Sequence, residues 1–243
     1  MNTAVITTTY PDAYKYMTDL TTALMAQDDR EFDFIVIERD TPVNAKIDGV
    51  RFCDRYEKLL FVDGDDYPAP NWVSTVKKLL DEHSIVFCDL EMFWDSGHRE
   101  WFLSKRFNNG DRVFIQDIDD KNCLGFGNTA IRTDILTDED LTLPNNIIAA
   151  DWTFYKRILK RGHKAVFTDD TYINYRQHGN NTAGPRRMDI AQIIRGIDVK
   201  IQHYTYFNDP RANEYRKIRN SAEYIRKVKA NVPEFPLWWE AIT

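Results

Sequence analysis

The chain of 243 residues is 43% hydrophobic and 29% charged, with ordinary Gly and Pro usage, so it can bury one sizeable core and is neither disordered nor fibrous. No apolar run reaches the roughly 20 residues that cross a bilayer, and a net charge of −6 argues against general nucleic-acid binding. Cys53, Cys88 and Cys123, odd in number and without CxxC spacing, read as reduced thiols rather than a disulfide framework or a zinc site.

Met1 to Thr9 lacks the basic start and cleavage site of a secretory signal, so it reads as a first strand of a cytoplasmic protein. The strand Thr3 to Thr9 is β-branched and ends at Tyr10-Pro11; Asp12 is positioned to cap a helix over Ala13 to Gln27. Phe32 to Ile37 is the next strand, and this strand-helix-strand unit predicts parallel pairing. A helix over Asn44 to Arg55, a strand over Lys58 to Val62, a helix over Asn71 to Glu82 and a strand over Ile85 to Leu90 repeat the pattern. The fold class is therefore α/β: an open, mostly parallel sheet flanked by helices, whose ligands sit at the carboxyl ends of the strands.

Glu91 to Arg112 reads as a hairpin or excursion over the site, Asn122 to Ile131 as a strand, and Asp151 to Arg161 as an amphipathic helix closed by Gly162. Lys164 to Thr168 and Thr171 to Tyr175 read as short strands, and Met188 to Tyr206 and Arg211 to Asn231 as helices. From Pro185 onward 11 Lys and Arg stand against 7 Asp and Glu, a surplus of +4. A helical extension over 185–243, packed on a domain over 1–184, is the plain reading. Its basic tail with Trp238 and Trp239 also suits peripheral contact with the inner face of an anionic membrane.

Asp63-Gly64-Asp65-Asp66 follows an apolar strand, and residues two apart in an extended chain project to one side. Asp63 and Asp65 can therefore face one ligand, and hard carboxylate oxygens suit Mg2+ or Mn2+ carrying a diphosphate. A solvated acidic turn is the plainer alternative. Asp151 opens a helix, where a carboxylate can serve as a general base or simply as an N-cap. His178 can be a ligand or a packed residue, and Arg176 offers bidentate donors to phosphate.

With Pro68 and the helix start Pro70-Asn71-Trp72, this DGDD run resembles the strand-end motif of the inverting GT-A glycosyltransferases of family 2. Thr7-Thr8-Thr9-Tyr10 is similar to the family's first-strand loop against the nucleotide, and Glu38 and Asp40 stand where acidic residues contact base or ribose. Ala150-Asp151-Trp152 resembles the motif whose aspartate is the catalytic base. Gly125-Phe126-Gly127-Asn128-Thr129 is similar to the stretch lining the donor sugar and acceptor. Tyr175-Arg176-Gln177-His178-Gly179-Asn180-Asn181-Thr182 looks like the closing run of bacterial rhamnosyltransferase-like members.

Across Thr3 to Gly184 the resemblance implies a GT-A fold and inverting transfer of a hexose or deoxyhexose from a UDP- or dTDP-linked donor. The acceptor would be a glycan, lipid-linked or other hydroxyl, in bacterial surface glycan synthesis. It further implies Asp151 as base, with Asp63, Asp65 and His178 around Mn2+ or Mg2+. Donor contacts would come from Thr8, Thr9, Tyr10, Glu38, Asp40, Asp63, Gly64, Asp65, Gly127, Asn128, Trp152 and Arg176. The customary Asp-Asp-Gly-Ser is replaced by Glu38-Arg39-Asp40-Thr41, and Ala150 stands where the family often has Glu. Two other classes use similar residues: a metal-dependent nucleotidyltransferase or phosphohydrolase, and a non-catalytic sugar-binding module.

Overall fold

The structure, a computed structural model, describes residues 2–9, 11–39, 42–144, 147–178 and 189–242, without the side chains at 12, 42–44 and 53. The strands are β1 (Thr3–Thr9), β2 (Asp33–Glu38), β3 (Lys58–Asp63), β4 (Tyr67–Pro68), β5 (Ile85–Phe93), β6 (Arg99–Trp101), β7 (Arg112–Val113), β8 (Thr129–Arg132) and β9 (Ala165–Arg176). The helices are α1 (Met17–Met25), α2 (Pro42–Val50), α3 (Trp72–Glu82), α4 (Ala150–Lys160), α5 (Ile190–Tyr206), α6 (Arg211–Ile218) and α7 (Ala222–Ala230). All the strands join one nine-stranded sheet in the order β2-β1-β3-β8-β5-β9-β4, with β6 on β5 and β7 on β9.

The long pairings, β1 with β2 and β3 and β5 with β9, are parallel. A parallel sheet is covered on both faces, so its strands bury every residue rather than alternate residues. β1 does so from Thr3 to Thr9, and β5 from Ile85 to Leu90. The register sets Thr8 beside Asp63 and Thr9 beside Glu38, so the ends of β1, β2 and β3 share one edge.

Several elements depart from the sequence expectation for identifiable reasons. The first helix opens as a 3₁₀ turn, Pro11–Tyr16, and becomes α-helical only at Met17, so Asp12 lies inside that turn and is not the α-helix cap. Such turns are common at helix starts. The expected strand over Asn122 to Ile131 is only β8: the Asn122 side chain bonds Leu124 N and O, and a 3₁₀ turn, Phe126–Asn128, intervenes. β8 then runs antiparallel between β3 and β5.

The two short strands after Gly162 are one, β9, whose register against β5 slips between Cys88 and Asp89. The bulge absorbs the residues between Thr168 and Tyr172 without ending the strand. The last predicted helix breaks into α6 and α7, because Ser221 accepts from Tyr224 N and caps a new start. The excursion after β5 is the β5–β6 hairpin. Cys88 and Cys123 are buried free thiols.

One large core joins the sheet to α1–α4 and continues into Val199, Leu237 and Trp239 of the C-terminal region. A small second cluster of Ile193, Ile197, Val228 and Ile242 ties α5 to α7. Trp152 stacks on His203 at 3.7 Å, and Arg211 and Lys156 both bond Asp119. Among the described residues no helix is long and apolar enough to cross a membrane. Phe87 of β5 is fully buried against Phe107 and Phe167, with ring centroids at 5.6 and 5.2 Å. Phe87→Ala should cost about 3–5 kcal/mol of stability, read from the urea midpoint at unchanged slope.

Candidate functional site

The site grows from the end of β3, where the chain turns sharply back. Gly64 N donates to Thr8 O at 3.1 Å, and a Cβ on Gly64 would sit 2.8 Å from that carbonyl. Only glycine lets the turn approach β1 so closely. Three carboxylates then emerge within four residues, and each meets a different environment.

Asp63 pairs with Lys46 of α2 through Oδ1 at 3.0 Å, and Thr8 Oγ1 donates to the same oxygen at 3.5 Å. Asp65 meets His178, whose Nε2 lies 2.9 Å from Asp65 Oδ2. His178 is in turn stacked on Tyr16, with centroids 5.8 Å apart. Asp66 is buried and accepts Arg176 N at 2.8 Å; burial, with Asp65 and Asp63 alongside, holds its carboxyl well above the usual range. A buried carboxyl beside two carboxylates is cheapest neutral.

Asp151 stands in the first turn of α4 and accepts Trp152 N at 2.7 Å. Burial pushes its carboxyl above 3.8, the positive charge of Lys46 and the Trp152 amide pull it down, and Asp63 pushes it up. For Lys46, burial pulls the amine down, but Asp63, Asp151 and Asp65 outweigh that and leave it raised. Lys46 is therefore the shared countercharge of the carboxylates from β3 and α4. Its ammonium also lies 5.8 Å from the Phe126 ring.

The structure thus brings Thr8, Asp63, Gly64, Asp65, Gly127, Asp151 and His178 around one strand end. Thr9 is adjacent, its buried hydroxyl without a hydrogen-bond partner among the described residues. Glu38 ends β2 beside it and holds the Tyr14 phenol raised through a hydrogen bond. Tyr10, Asp40 and the run 179–182 lie outside the described residues.

Three expected ligand contacts are occupied by structural work instead. The Trp152 ring is fully buried, its indole N–H bonded to Ile118 O at 2.7 Å, and offers no open face to a sugar. Asn128 brackets its own turn, accepting Gly125 N and donating to Cys88 O. Arg176 lies between Tyr16 and Phe93, at 4.3 and 4.7 Å, and bonds Asp19 and Asp65 O. Lys46 was missed in the sequence because one lysine on a short helix carries no local signal.

Among the described residues no group of three or more His, Cys, Asp and Glu side chains is disposed to hold a metal ion. Asp65 and His178 remain as a touching carboxylate-imidazole pair, while Asp63 is taken by Lys46. Mg2+ and Mn2+ commonly take few protein ligands and complete their shell with phosphate and water, so this pair fits such an ion.

No protein-family model and no curated protein matches the sequence. Solved structures do match in shape. An S. aureus TarS fragment with UDP-GlcNAc is 17% identical, with 96% of this chain and 82% of that one covered and a TM-score of 0.55. The mannosyltransferase PcManGT from Pyrobaculum calidifontis, with GDP-Man and Mn2+, is 15% identical over 92% and 71%, at 0.54. GalNAc-T7 with UDP, GalNAc and Mn2+ is 12% identical over 98% and 58%, at 0.50. At these identities the likeness is one of fold, and that fold is the GT-A type.

Gly127 is pressed against Asp63: a Cβ there would stand 2.6 Å from Asp63 Oδ2. Gly127→Ala should displace that carboxylate and cost about 1–3 kcal/mol, a loss of several degrees in Tm by calorimetry.

Proposed function

We propose that the chain is a metal-dependent glycosyltransferase that moves a sugar from a nucleoside diphosphate to an acceptor hydroxyl with inversion. The observation that carries this reading is the convergence of Asp65 and His178 at 2.9 Å, 113 residues apart, beside the Asp63-Lys46 pair and Asp151 at the carboxyl edge of the sheet. The structural neighbours' bound UDP-GlcNAc, GDP-Man and Mn2+ support the same class of ligand here.

In this reading Asp65 and His178 hold Mn2+ or Mg2+. When bound, the ion supplies Lewis-acid neutralisation of the departing diphosphate. The Gly64 turn and Thr8 keep the strand ends tight beneath the nucleotide. Asp151 accepts the proton of the acceptor hydroxyl as its oxygen bonds to the anomeric carbon, and the diphosphate leaves from the opposite face with the electron pair. Attack from the face opposite the diphosphate inverts the anomeric centre, the outcome that the family resemblance implies. Burial raises the Asp151 carboxyl, and the charge of Lys46 opposes that rise and favours the ionised base.

Asp151→Asn preserves size and removes the base, so transfer should fall by about 100-fold or more while Mn2+-dependent nucleotide binding persists. Turnover against a panel of UDP-, GDP- and dTDP-sugars measures this, and wild-type-like turnover by the variant would refute the assignment.

The pH profile offers a second check. A base acts deprotonated, so transfer should rise with pH through the Asp151 pKa, with its acid limb above 3.8, the ordinary carboxylate value. Lys46→Met removes the charge that lowers that pKa, so the limb should move to higher pH. A limb that stays or moves down contradicts the role given to Lys46.

A further inference from the structure

The C-terminal segment returns to the catalytic domain and is fastened there by several contacts. Arg106 bonds both oxygens of Glu240, at 2.8 and 3.0 Å, and Phe235 O at 3.0 Å. Lys121 reaches Glu240 at 3.4 Å, and Tyr215 Oη donates to Ile242 O. Asn122 N donates to Trp238 O at 2.9 Å in an antiparallel bridge. Between these anchors Trp239 is held at φ +66°, a left-handed conformation that a bulky residue adopts only when its surroundings impose it.

The product of this fastening is the placement of the Trp238 ring. A Cβ on Gly125 would meet its Cη2 at 2.9 Å, so ring and turn are in close contact. The ring is tilted on Phe102 at 5.4 Å and edge-on to Tyr175 at 6.5 Å. Gly125 begins the turn whose Gly127 presses Asp63, and Tyr175 lies three residues before His178 on the same stretch of chain. One indole therefore touches the turn that presses on Asp63 and the strand end that leads to His178.

Resting on the functional reading above, we propose that Trp238 is a positioning residue of the donor site. It sets the 125–128 turn against Asp63 and steadies the strand end that carries His178 to Asp65. The C-terminal region is thereby part of the working site rather than an appendage. The role is steric: the buried indole N–H has no hydrogen-bond partner among the described residues, so its loss should cost nothing.

The test is calorimetric UDP, GDP and dTDP affinity in Mn2+, together with donor turnover, in the full chain. Trp238→Ala should weaken Mn2+-dependent binding about tenfold, and Trp238→Phe should restore most of it. Arg106→Met, which loosens the fastening without touching the site, should weaken binding in the same direction. Gly125→Ala should weaken binding in the wild-type background, where its Cβ meets the ring at 2.9 Å and Asn128 Oδ1 at 3.0 Å, and should weaken it less beside Trp238→Ala, where only the Asn128 contact remains. A merely structural residue would lower Tm and leave the nucleotide affinity and this non-additivity unmoved; that result overturns the proposal. If Trp238→Ala does not fold, unchanged affinity in Arg106→Met overturns it instead. Failure of the wild-type chain to bind any of the three nucleotides would sink the functional reading and this inference with it.

Discussion

Crowding of Asp63, Asp65 and Asp66 at the end of β3 is the constraint around which the rest of the molecule is arranged. Two like charges about 4 Å apart repel by roughly 4 kcal/mol at the effective dielectric of a protein surface, a large share of the 5–15 kcal/mol that holds a domain together. Each carboxylate is relieved differently. Lys46 compensates Asp63, His178 accompanies Asp65, and Asp66 is buried under the Arg176 amide with its carboxyl pushed toward the neutral form. The relief comes from α2 on one side and β9 on the other, so the sheet must be complete before the cluster is tolerable.

That requirement gives meaning to the irregular parts of the topology. β8 slips antiparallel between β3 and β5, and the turn before it is thereby delivered to Asp63. The bulge in β9 lets a single strand run far enough to carry Arg176, and the residues just after it, to the cluster. Arg176 is a beam rather than a free cation: its guanidinium spans Asp19, Asp65 O and two aromatic rings. Arg176 thereby supports the strand end beside the metal-ligand candidates.

Much of the fold was legible because its signals are local. The β-branched strand Thr3 to Thr9 and the apolar run within Lys58 to Val62, the spaced apolar residues of α3 and α4, and Gly162 at φ +95° after α4 all follow from periodicity and backbone sterics. The aspartates at the end of β3 and the opening carboxylate of α4 were also visible, since residue type and placement at an element's end are sequence properties. Trp152 misled for the same reason: it adjoins Asp151 in the chain, but helical geometry turns neighbouring side chains about 100° apart, and the ring went to the core.

The sequence by itself determined the α/β class, the strand ends on which chemistry is placed, and which residue types stand there. Tertiary structure alone decided that Lys46 balances carboxylates from two other elements, that Asp63 pairs with a lysine while Asp65 meets His178, and that Trp238 wedges against Gly125. Propensity and periodicity act over a few residues and are written in the chain. Charge compensation and close packing act through space, and are settled only when distant segments compete for the same few ångströms.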